Sequence, residues 1–143
     1  MTVTISSNSR SNNGKEVFYK ALCDAFGAVE CEYKFHAVRK WRNDYFLTKY
    51  RIAVEIEGGI FIGGRHTSGM GFSKDMEKYN AALVEGIVVY RIDNRDLKKP
   101  DGIMKHIVAL RKIADMRKDI DKLTAHMQQQ TGVQPSRLIF KVQ

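Results

Sequence analysis

Cysteine is nearly missing from this chain. Of its 143 residues only Cys23 and Cys31 carry a thiol, and they form neither a CxxC pair nor a disulfide framework. That scarcity excludes a disulfide-stapled secreted scaffold and makes the reduced cytoplasm the expected compartment. Histidine is sparse too: His36, His66, His106 and His126 show no HExxH-type spacing, which argues against a zinc site. No apolar run approaches the roughly 20 residues that cross a bilayer, so no membrane partner is expected. The opening MTVTISSNSRSNNGK lacks the apolar centre of a secretory signal and reads as a flexible lead-in over residues 1–13.

Acidic residues are also in deficit. Sixteen Asp and Glu against twenty-four Lys and Arg leave a net charge of +8, with a pI near 9.6. A basic surface favours anionic partners, DNA above all, because each bound phosphate releases counterions. With 43% hydrophobic and 28% charged residues, the composition is that of a globular chain.

The spacing of Val17, Phe18, Ala21, Leu22, Ala25 and Phe26 predicts a first helix that stops at Gly27. Glu32–His36 reads as a strand, and Asn43–Leu47 with Arg51–Glu57 as a hairpin. A glycine-rich loop spans Gly58–Gly71. Ser73 is a candidate N-cap for a helix to about Glu85, and Ile87–Ile92 is a compact strand of β-branched residues. A helix from about Gly102 to Gln130 follows, and the tail TGVQPSRLIFKVQ offers an edge strand. The order α-β-β-β-α-β-α implies an α/β fold with a mixed sheet of about four core strands flanked by helices. Residues 14–100 form the expected core, and 101–143 a C-terminal helix and tail packing on it or in a dimer.

The hairpin holds the chemistry. With the turn centred on Lys49 and Tyr50, Leu47 faces Ile52, Tyr45 faces Val54 and Asp44 faces Glu55. Tyr45, Leu47, Ile52, Val54 and Ile56 then share one face, while Asp44, Phe46, Ala53, Glu55 and Glu57 share the other. Like charges set opposite one another destabilise a sheet unless one is protonated or a cation lies between them. Oxygen ligands of this kind suit Mg²⁺ or Mn²⁺, which would polarise a phosphoryl oxygen and acidify a bound water. The competing reading is charge pairing: Glu57 with Arg42, and Asp44 with Arg39 or Lys40.

An acid at the start of one strand, followed by Glu-x-(Lys, Glu or Gln) at the end of the next, resembles the PD-(D/E)xK nuclease superfamily. Here the motif stands as Asn43-Asp44 and Glu55-Ile56-Glu57, with matching context from about Glu16 to Asp93. The run is similar to small phage and bacterial endonucleases near the very-short-patch-repair and Holliday-junction-resolvase-like branches. The resemblance implies that Asp44 and Glu55 hold the metal, with the backbone carbonyl of Ile56 as a further ligand. It implies metal-dependent cleavage of structured or branched DNA. Glu57 stands where the family usually has a water-activating lysine, so Glu57 assists or acts as base. Lys74 or Lys78 on the next helix would supply the missing cation, Lys78 being preferred. Glu16 resembles a further ligand acid of some resolvase-like members, and equally suits the first turn of a helix. The departure at Glu57 keeps open a DNA-binding module that has lost cleavage.

Arg39, Lys40 and Arg42 precede the acidic strand as candidate phosphate contacts, and Trp41 between them is either a base-stacking platform or packing. Arg65 and His66 in the glycine-rich loop are candidate DNA contacts. His66 is a proton carrier, a phosphate ligand or a plain loop residue. No P-loop or dinucleotide fingerprint occurs, so no nucleotide cofactor is expected. Ala109, Ile113, Met116, Ile120, Leu123 and Met127 form a short heptad stripe that buries against the domain or against its copy in a homodimer.

Overall fold

A computed structural model of the chain describes residues 13–58 and 69–132. Helix α1 (Asn13–Phe26) buries Phe18, Leu22 and Phe26, and Gly27 stops it as expected. Strand β1 (Val29–Lys34) begins earlier than the sequence suggests. Its alternation breaks at Glu32, whose φ of 52° is left-handed. Cys31 pairs with Tyr45, whereas Tyr33 stacks on Phe46 with ring centroids 4.0 Å apart. A β-branched or bulky side chain is strongly disfavoured at such a φ, and for Glu it still costs about 1–2 kcal/mol.

Strands β2 (Arg42–Leu47) and β3 (Ile52–Glu57) form the hairpin in the expected register, Tyr45 with Val54, Phe46 with Ala53 and Leu47 with Ile52. A 3-10 turn, Thr48–Tyr50, joins them, and Arg51 takes the left-handed position that closes it. Helix α2 (Gly69–Val84) begins a turn before Ser73, which therefore lies inside it instead of capping it. It ends in a Schellman motif: Gly86 N–H donates to Leu83 O and Ile87 N–H to Ala82 O, both at 2.9 Å. Gly86 provides the φ of 72° that this motif needs.

Strand β4 (Val88–Asp93) pairs parallel to β3, Glu55 opposite Arg91 and Glu57 opposite Asp93. After a 3-10 turn (Asn94–Lys98), helix α3 runs unbroken from Pro100 to Thr131. Gly102 lets α3 grip that turn, because a Cβ there would overlap the Asp96 carbonyl. Among the described residues the sheet is mixed, in the order β1-β2-β3-β4. No described helix is long and apolar enough to cross a membrane.

The hairpin's alternation builds two unlike layers. On one face Leu47, Ile52, Val54 and Ile92 meet α1 and the first half of α3, through Ile103, Ile107, Leu110 and Ala114. On the other, Phe46 and Ala53 form a small cluster with Ala82 of α2 and Ile87. The first half of α3 is thus core, and the fold's last buried residue on it is Ala114. The heptad stripe begins on the flank of that core face, where Ala109 is half-buried and Ile113 packs against the core, and is exposed from Met116 on.

Candidate active site

Past Tyr45 and Val54 the pairing of β2 with β3 ends, and Asp44 takes over the role of the ladder. Its Oδ2 accepts the Ile56 N–H at 2.6 Å, where a continued ladder would have used a backbone carbonyl. Asp44 lies near enough to Glu55 for its charge to raise the Glu55 carboxyl. Arg39 and Lys40 are not the partners of Asp44, and Glu57 pairs with a cation other than Arg42.

Glu55 is buried, and helix α2 delivers its partner. Lys78 Nζ donates to Glu55 Oε1 at 2.6 Å, with both side chains largely shielded. The Glu55 carboxyl is pushed up to about 7: burial raises it most, Lys78 pulls it back, and the charges of Asp44 and Glu57 add to the rise. One lysine therefore does not offset the desolvation of this acid.

Glu57 is braced. Its Oε1 accepts from Tyr79 Oη and from Arg91 Nε, each at 2.8 Å, and the Arg91 guanidinium lies 4.7 Å from the Tyr79 ring centre. Burial first, then the hydrogen bond to Glu57, pushes the Tyr79 phenol far up, so it stays a donor. Asp75 is close enough to raise the Arg91 guanidinium further. Lys78 and Tyr79 follow Asp75 by three and four residues and Ala82 follows Tyr79 by three, so one face of α2 covers this group.

Tyr79, Arg91 and Asp75 are not among the residues to which the sequence points. Arg91 was legible in part: parallel pairing sets it beside Glu55, on the face of the acids, once β4 is known to flank β3. Tyr79 and Asp75 follow from helical spacing once Lys78 is known to face the sheet.

The other candidates are placed differently. Lys74 is exposed on α2, one turn from Lys78 but not on the covered face. Glu16 is exposed in the first turn of α1, the helix that packs on the opposite face of the sheet. No hydrogen bond or ion pair among the described residues joins it to the acids. Arg65 and His66 lie outside the described residues, as do most of the glycine-rich loop and the tail.

The β1–β2 loop is built around Trp41, which is half-buried. Phe35 stacks on it at 6.2 Å, His36 meets it edge-on at 5.1 Å, and the Arg39 guanidinium sits 5.4 Å from its ring centre. Arg39 also bonds Glu77 of α2 at 2.9 Å, tying the loop to the helix. His36 Nδ1 accepts the N–H groups of Val38 and Arg39, which tightens the turn. These contacts make Trp41 the packing centre of the loop, whereas Lys40 and Arg42 are exposed.

A divalent cation would meet a suitable donor set here. Among the described residues Asp44 Oδ1 and Glu55 Oε2 have no partner, so each acid has one oxygen held and one open. No three acidic or imidazole side chains among the described residues converge into an all-side-chain cage. Mg²⁺ does not require one, since one or two carboxylates with waters and substrate phosphate suffice. The buried Glu55 carboxyl, raised by desolvation and by the charge of Asp44, is the feature that fits a cation best. Comparison with known families, curated proteins and solved structures returned no match.

Proposed function

We propose that this chain is a metal-dependent endonuclease that hydrolyses DNA phosphodiester bonds, acting on structured or branched DNA. One observation carries the reading. Glu55 is buried beside Asp44 at the point where β2 and β3 part, with Lys78 brought to it from the next helix.

In this reading Asp44 and Glu55 hold a Mg²⁺ or Mn²⁺ ion, with the Ile56 carbonyl as a further ligand. The bound ion would polarise the phosphoryl oxygen and acidify a water. Lys78 fixes the Glu55 carboxylate and adds positive charge beside the reacting phosphate. Glu57 already carries two donors on one oxygen, so it serves to aim Arg91 and Tyr79 and does not take a proton from water. Lys40 and Arg42 are exposed to bind the flanking backbone, in keeping with the +8 charge.

A specific observation supports a second reading, a DNA-binding module without cleavage. Glu57 occupies the usual lysine position and is locked by Arg91, and the Glu55–Lys78 pair can stand alone as a structural ion pair. Labelled linear duplex, nicked, flap and four-way-junction DNA, incubated with Mg²⁺, Mn²⁺ or EDTA, separates the two. Metal-dependent cutting that Glu55→Ala abolishes supports the nuclease. Binding without cutting on every substrate supports the second reading.

A further inference from the structure

Helix α3 outruns its own domain. Beyond Ala114, Asp115–Thr131 extends for about 25 Å with no further buried residue. On this stretch Met116, Ile120, Leu123 and Met127 are 63%, 54%, 60% and 55% exposed, at spacings of four, three and four. A lone polar helix end does not carry a heptad seam, and isolated helices of this length are marginal in water. Arg117 donates to the carbonyls of Tyr50 and Gly86, which fixes how the seam is turned relative to the core.

We propose that this seam is the interface with a second copy of the chain, the two α3 helices running antiparallel. In that arrangement Met116 faces Met127 of the second copy, and Ile120 faces Leu123, so all four apolar positions are matched by the same four residues. The flanking positions agree: Asp119 falls beside His126 of the second copy, and Arg117 beside Thr124, with no like charges opposed. Asp115, Asp119 and Asp121 balance Arg117, Lys118 and Lys122, so the segment is neutral within a chain of net charge +8. Two copies therefore meet here without the repulsion they would feel elsewhere, and a nucleic acid finds no net attraction. A twofold pair also presents two acidic sites, one for each strand of a duplex. That consequence rests on the nuclease reading, whereas the association is read from mass alone.

Sedimentation velocity across the micromolar range, without DNA or metal, tests the interface. The full chain is expected to be dimeric, and an Ile120→Asp, Leu123→Asp variant monomeric with unchanged near-ultraviolet circular dichroism from the core tyrosines Tyr45 and Tyr50, which shows the core intact. The register is tested in a background in which Cys23 and Cys31 are replaced by Ser. A short bismaleimide should link a mixture of Met116→Cys and Met127→Cys chains, and should not link either alone. A chain that stays monomeric throughout overturns the proposal, as does a dimer that survives the double Asp variant. Linking of Met116→Cys to itself overturns the antiparallel register. Dimerisation that appears only after truncation behind Gly132 also overturns it, because the chain's own tail would then be the occupant.

Discussion

The two faces of the β2–β3 hairpin are made by one alternation and come to opposite ends. Toward α1 and α3 it sends Tyr45, Leu47, Ile52 and Val54 into an apolar cluster with Phe18, Leu22, Ile107 and Leu110. Toward α2 it sends Phe46 and Ala53, then Asp44, Glu55 and Glu57. The first face removes hydrocarbon from water, at about 25 cal/mol for each Å². The second places charge where water is scarce, which is unfavourable unless a partner compensates. Stability is thus concentrated on one side of the sheet, and the chemistry proposed here is confined to the other.

The sharpest way to separate the faces is to damage each in turn. Phe18→Ala empties a fully buried site on the α1 face, and an unfolding free energy lower by about 3–5 kcal/mol is expected by urea titration. A loss below about 1 kcal/mol would show that this face does not carry the core. On the other face, Glu55→Gln is expected to leave the fold intact and lower metal-dependent cleavage at least about a hundredfold, since even partners behind a ligand are worth tenfold to a hundredfold. Unchanged cleavage in that variant would remove Glu55 from the site.

Acidity sharpens the comparison further. With its carboxyl pushed from 4.5 up to about 7, chiefly by burial, Glu55 keeps a proton in the folded chain that the unfolded chain has lost. Its contribution is therefore complete below pH 4.5 and is lost as pH rises through about 7. In EDTA, unfolding free energy should fall across that window by about 3 kcal/mol, and Glu55→Gln should flatten that part of the curve. A curve identical in the two proteins would mean that Glu55 is ordinary. The smallest effect belongs to the exposed cations: Lys40→Ala should lower the slope of log affinity against log salt on duplex DNA by about 0.9 and leave the fold untouched. No change would place the backbone contact elsewhere.

Much of this was legible in the sequence because β-alternation is strict. Fixing the turn at Lys49 and Tyr50 fixed the pairing of Tyr45, Phe46 and Leu47 and the sharing of a face by the acids. Gly27 and Gly86 marked helix ends for the same local reason. The places where local pattern failed are those decided by tertiary contact. Ser73 looks like a cap, yet α2 starts a turn earlier. The pairing of Asp44 with Glu55 across the strands assumed a ladder that continues, whereas the Asp44 carboxylate itself bonds the Ile56 amide. Trp41 offered two readings, and its contacts with Phe35, His36 and Arg39, which bind the loop together, follow from no spacing within one element. The brace on Glu57 needs α2 and β4 together, and no spacing within one element announces it.

Asn43, next to Asp44, is 1% exposed, and neither its amide nitrogen nor its oxygen has a partner among the described residues.

The central claim is that Asp44 and Glu55 together hold a divalent cation. Thermal unfolding with increasing Mn²⁺, compared among the full chain, Asp44→Asn and Glu55→Gln, measures it most directly. At a hundredfold excess over the dissociation constant, binding adds about 2.7 kcal/mol, which should raise the midpoint by several degrees in the full chain and in neither variant. A midpoint that does not move, or one that moves equally in all three proteins, would contradict the account.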